Sequence, residues 1–291
     1  MYRNCLILCC LLLLASTANA QTEILSNKYF DIYYPASRSE IAEVVGSYGI
    51  TELERISRNL KQRTVKRITI SILEETEYRQ QYSDYLPEWG VAFAIPEKNL
   101  ILLIFPESFS NPSRLRFIIG HEIAHLLVHD RVATFIPRWF DEGMAMYLSR
   151  EPNLIDEMQL LLAVLIGGIV PLQRIERSFP ETGRSARLAY IESASAILFL
   201  IEECGPSSII QILDATREAG DFRTGFIAAT GFDLPQFEME WRRWIRKRFT
   251  LAVLLQPNLL FAVAALSVLM LGIVAKLRRK SASGIDERIE E

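Results

Sequence analysis

The sequence predicts an α+β domain of two lobes, a small mixed sheet with helices followed by a helical lobe, and three observations predict it. Up to about residue 106 the apolar residues tend to alternate, the period of a strand; from Asn111 onward they recur three and four apart, the period of a helix. Half of the 291 residues are hydrophobic and 23% are charged, which allows a sizeable core and lacks the composition of a disordered chain. Strands grouped before helices, and not alternating with them, give an α+β order.

Each element has its own signal. "KYFDIYYP" (28–35) alternates and ends at a proline, as a strand does. Ile41, Val44, Val45, Tyr48, Leu53, Ile56 and Leu60 then recur at helical spacing, a helix that Gly49 could break. "RITISIL" (67–73) alternates Ile68, Ile70 and Ile72, a half-buried strand. "GVAFAIPEKNLILLIFP" (90–106) reads as a hairpin turning around Pro96 to Asn99. Asn111 followed by Pro112 is an N-cap with proline at the first helical position, and this helix should reach about Asp130. A second helix starts at Pro137 and stops before Pro152; more are expected from Leu154 to Ile166, Arg184 to Glu203, Ser207 to Glu218 and Leu234 to Phe249.

The two ends carry addresses. Arg3, an apolar run from Leu6 to Ala15 and the small residues Ala18-Asn19-Ala20 read as a cleavable secretory signal over residues 1–20. From Leu259 to Ala275 no charge occurs, so a membrane-spanning helix is expected over 257–275, with a basic cytoplasmic tail over 276–291. The domain between, 21–250, would then be exported and tethered on the outer, periplasmic or extracellular, side of the cell membrane. A formal net charge of −3 argues against a nucleic-acid partner bound through phosphate neutralisation. Cys5, Cys9 and Cys10 fall in the presumed signal, so Cys204 has no internal disulfide partner. "FEMEWRRWIRKRF" (237–249) is either a helix lying on anionic lipid or the last helix of the domain with its apolar side in the core.

All three histidines lie in "FIIGHEIAHLLVHD", at 121, 125 and 129. His121, Glu122 and His125 spell H-E-x-x-H. On a helix the two histidines share a face and can reach one zinc ion, while Glu122, turned by about 100°, is left to act as a base on a water. Burying two imidazoles and a carboxylate in so apolar a helix costs several kcal/mol, roughly, unless partners or a cation relieve them. The bland alternative is a core helix whose histidines bond to neighbouring carbonyls.

A catalytic zinc site takes three protein ligands and keeps an open position. "IPRWFDEGMAMYLSRE" offers Glu142 on the next helix, a short loop away. Pro137, Trp139, Glu142, Gly143, Ala145 and Tyr147 resemble the W-x-x-E-G-x-A-x-Y element of the gluzincins, in the form called the peptidase MA-like domain. That resemblance, spanning roughly Lys28 to Phe249, implies a zincin-like fold, one zinc ion, and Glu142 as third ligand. Downstream, "RLAYIESASAILFLIEECG" (187–205) resembles the tyrosine-bearing helix of the same families. It implies that Tyr190 donates to the oxyanion, though a plain core or surface tyrosine fits the spacing too. His129 stands four residues after His125, not six as in the metzincins, and no glycine precedes it; a helix-end histidine suits the dipole. It or Cys204 could still complete a purely structural zinc site. Asp141 could orient a ligand or cap the helix.

The expected activity is hydrolysis of peptide bonds with Glu122 as general base, the substrate pairing with an edge strand drawn from "VAFAIPEKNLILLIF". Lack of a G-x-M-E-N element, which reads a free amine in the related aminopeptidases, weighs towards an endopeptidase. The reading from another class is a tethered binding or scaffold protein that keeps the zincin fold without turnover.

Overall fold

The computed structural model describes residues 22–74, 91–105, 111–149, 154–176, 180, 183–255, 267–268 and 270–272. The expected signal, the tail and most of the expected span lie outside them. Among the described residues no single helix is long and apolar enough to cross a membrane. The chain divides into two compact units, Met1–Leu160 with Val170–Leu234, and Leu161–Ile169 with Pro235–Glu291.

In the first unit five strands form one mixed sheet. They are β1 (Thr22–Ser26), β2 (Phe30–Pro35), β3 (Ile68–Glu74), β4 (Ala92–Ile95) and β5 (Leu100–Phe105), in the order β1-β2-β3-β5-β4. β1 and β4 run antiparallel to their neighbours, whereas β2, β3 and β5 are parallel. Parallel strands need a crossover, and α1 (Ser39–Asn59) supplies the one between β2 and β3. Ile68, Ile70 and Ile72 are buried as their alternation requires. β1 escaped the sequence reading because it is an exposed edge with no buried face to impose a pattern. The hairpin turns at Asn99, whose left-handed φ of 50° suits asparagine.

No break occurs at Gly49, and α1 runs through it. A Cβ there would sit 3.1 Å from two ring atoms of Phe30. The glycine makes room for that ring, and packing offsets the roughly 1 kcal/mol that a mid-helix glycine costs relative to alanine.

α2 (Pro112–Arg131) starts as predicted, with the Asn111 side chain accepting from the backbone N–H groups of Ser113 and Arg114 at 3.0 and 3.3 Å. Buried Glu52 of α1 accepts from Arg116 of α2 at 2.5 Å and pairs with Arg55, fastening the two helices beside Gly120. α3 (Arg138–Ser149) follows after a short loop, then α4 (Leu154–Leu165), α5 (Gly183–Cys204), α6 (Ser208–Ala219), α7 (Phe222–Thr230) and α8 (Leu234–Leu255). α7 was not foreseen, although Asp221 caps it through Thr224 at 2.8 Å and Gly231 closes it at a φ of 76°. It carries Phe222 and Phe226 against Trp139 and Phe140 of α3, with centroids 5.0 to 6.4 Å apart. α3 also packs closely on α5: a Cβ on Gly143 would lie 2.6 Å from the Ser193 carbonyl oxygen, closer than real atoms approach.

Candidate metal centre

α2 and α3 bring three donors to one point. The Nε2 atoms of His121 and His125 are 3.2 Å apart, and Glu142 Oε2 lies 3.3 Å from the first and 3.4 Å from the second. Four residues between the histidines make one turn of α2, so both rings project from the same side. Glu142 meets them because the loop between α2 and α3 is short and Gly143 seats α3 deep against α5.

The donor set fits a cation. Bonds of about 2.0–2.1 Å to one tetrahedral ion place its ligand atoms about 3.3–3.4 Å apart, close to the three distances found. Charge points the same way. Burial pushes the Glu142 carboxyl up, but the charges and hydrogen bonds of His125 and His121 outweigh it and hold the group at about 2. For His125 burial favours the neutral ring, yet the carboxylates of Asp141 and Glu142 raise its pKa well above the ordinary value. Positive charge is therefore called for between these groups, and a metal ion can supply it in place of a proton.

Glu122 points elsewhere, as its offset on the helix demands. It is buried, and burial raises its pKa, opposed by the neighbouring His121 and His125 and by a hydrogen bond from the Ala94 backbone N–H. Ala94 belongs to β4, the last strand of the sheet among the described residues. On that strand the Val91 carbonyl accepts from Ile104 of β5 at 2.8 Å, so by alternation Ala92 and Ala94 turn their backbone groups outward.

Tyr190 of α5 is brought to the same place, its ring centroid 6.1 Å from that of His121. Burial first, then the charges of Glu142 and Glu122, raise its pKa, so it holds its proton as a donor must. Arg138 hydrogen-bonds to Tyr190 and pairs with Glu142 Oε1 at 3.3 Å. Sequence reasoning passed over Arg138, although its place four residues before Glu142 puts both on one helix face.

Asp141 and His129, left open by the sequence, form a second layer. Asp141 Oδ1 lies 2.9 Å from His125 Nδ1 and Oδ2 lies 3.1 Å from His129 Nε2. A carboxylate on Nδ1 fixes the tautomer that leaves Nε2 free to ligate. Neither His129 nor Cys204 enters the three-donor group. An Asp141→Asn variant should therefore bind zinc about 10–100-fold more weakly by chelator competition. Unchanged affinity would remove the orienting role.

Comparison with known proteins gives a family. A family model described as the Peptidase MA superfamily matches residues 49–247. A protein of Bacillus subtilis (strain 168), the uncharacterized YhcO, is 25% identical over 158 residues, 51% of this chain. The chain spans about half of that relative, 47% of its length. Legionella pneumophila aminopeptidase A, in its crystal structure with aspartic acid, aligns with a TM-score of 0.47 at 14% identity, over 77% of this chain and 28% of that one.

Proposed function

The chain belongs to the peptidase MA superfamily, and from that premise we propose that it is a zinc-dependent peptidase, exported and anchored in the cell membrane by residues 257–275. One observation carries the catalytic part: His121, His125 and Glu142 converge at tetrahedral spacing while Glu122, one residue along the helix, stays outside the donor set. Two histidines and a carboxylate are the donor set of hydrolytic zinc sites, where the ion acts as a Lewis acid and brings the pKa of water towards neutrality.

The chain's own groups do the rest. An extended substrate pairs with the outward backbone groups of Ala92 and the carbonyl of Ala94, which lays the scissile bond beside Glu122. Glu122 takes the proton of the attacking water on its carboxylate and passes it to the departing amine. Burial raises its pKa, which helps it to hold the proton between the two halves of that exchange. Tyr190, held in place by Arg138, keeps its proton and donates a hydrogen bond to the developing oxyanion. Asp141, braced by His129, keeps the His125 ring oriented.

The interior of a peptide is the substrate we favour. An edge strand running past the site accepts chain on both sides of the scissile bond. Purified full-length protein should cleave members of a random peptide library, stop when the metal is chelated, and resume when zinc is restored. Retained zinc with no cleavage of any member would replace this reading with that of a binding protein on a zincin fold.

A further inference from the structure

Among the described residues, α4 carries an exposed apolar side. From Met158 to Gln173 the chain has no charged residue, and a helix so uniformly apolar is ordinarily enclosed. Leu160 and Ala163 are buried. On the other side Leu162, Leu165 and Ile166 are 59%, 67% and 73% exposed, ending at Gly167 and Gly168. Leu165 and Ile166 follow Leu162 by three and four residues, one helical turn, so all three form one patch and not scattered surface residues.

What else belongs to this unit indicates what covers the patch. Residues 161–169 group with 235–291, and Arg242 of α8 reaches the Ile169 carbonyl at 3.5 Å. α8 cannot offer its own apolar side to lipid, because Phe237, Trp241 and Ile245 are fully buried and Phe249 nearly so. Its exposed side carries Arg246, Lys247 and Arg248, which suit anionic headgroups, beside Arg243 paired with Glu240 at 2.6 Å. After Leu255 the same unit continues into the charge-free run ending at Ala275, of which Val268, Met270 and Leu271 are exposed.

We propose that the end of α4 with the turn after it, residues 162–166, is a second membrane contact, inserting Leu162, Leu165 and Ile166 into the boundary between headgroups and acyl chains. The basic side of α8 lies against anionic headgroups next to it. Depth at such a boundary is about 5–10 Å, within reach of a single helix end. Two contacts restrict how this unit turns on the bilayer more than the span alone would. This inference rests on the anchored reading above.

The full chain, with Cys204→Ser and a single introduced cysteine, is reconstituted in phosphatidylcholine–phosphatidylglycerol liposomes and carries a nitroxide label at 166, 218 or 268. The protein without an introduced cysteine subtracts any label on the first twenty residues. Collision with oxygen, which concentrates in lipid, is compared with collision with a water-soluble nickel chelate. Expected is a severalfold higher oxygen-to-nickel ratio for Ile166→Cys and Val268→Cys than for Glu218→Cys. A lipid signal at 268 with a water signal at 166 overturns the α4 contact and leaves the anchor standing. Water at both positions removes the anchor and the α4 contact together. A label at 166 shielded from both reagents means that protein covers the patch, either a second copy or another part of this chain, and also overturns the proposal.

Discussion

Glu122→Gln should keep its zinc and lose its hydrolysis. The amide has nearly the size and shape of the carboxylate, so the buried pocket beside Ala94 is not emptied, and the donors of His121, His125 and Glu142 are untouched. What disappears is the ability to take a proton from water. General bases contribute about 10²- to 10⁴-fold to rate, and here the same group also returns the proton to the leaving amine, so the loss should sit at the upper end. The fall should be carried by kcat, since in the proposed mechanism Glu122 acts on the reacting atoms and not on the length of the substrate. Two measurements decide it: kcat and KM on a cleaved peptide, and metal content on the same preparation. Activity that survives the substitution would remove Glu122 as the base, whereas lost metal would mean that the variant disturbs the donors instead.

Much of this site was legible because local rules and the site coincide. The Asn111–Pro112 start set the phase of α2, and a four-residue repeat within one helix places two rings together whatever the tertiary structure does. Glu142 was legible through its motif, and the packing supplies the reason for part of that motif: Gly143 admits the Ser193 carbonyl, and Trp139 fills an aromatic cluster with Phe222 and Phe226. Contacts made across elements were not legible. Nothing in the spacing of Asp141 and His129, twelve residues apart, announces that one carboxylate bridges two imidazoles, because the angle between α2 and α3 decides it. β1 left no trace either, since its register depends on backbone pairing with β2 and not on a buried face. Gly49 misled for a related reason: locally it weakens a helix, and only the position of the Phe30 ring shows why it is there.

Glu142→Ala should abolish tight zinc binding. It removes the donor that lies 3.3 and 3.4 Å from the two histidine nitrogens and leaves two neutral ligands, with no negative charge at the ion. Losing an outer partner of a ligand costs about 10–100-fold in affinity, and losing a ligand outright should cost more. The consequence can be read from stability as well as from metal content. An ion that binds only the folded chain stabilises it by RT ln(1 + [L]/Kd), about 2.7 kcal/mol at free zinc of about 100 times Kd. Wild-type protein should therefore melt at a higher temperature with zinc than without it, while the variant, folded in both conditions, should melt at the same temperature in each. A variant that still gains stability from zinc would mean that Glu142 is not a ligand. The three-donor geometry would then be an ion-pair cluster of α2 and α3, with the proton on His125 supplying the charge assigned here to the metal.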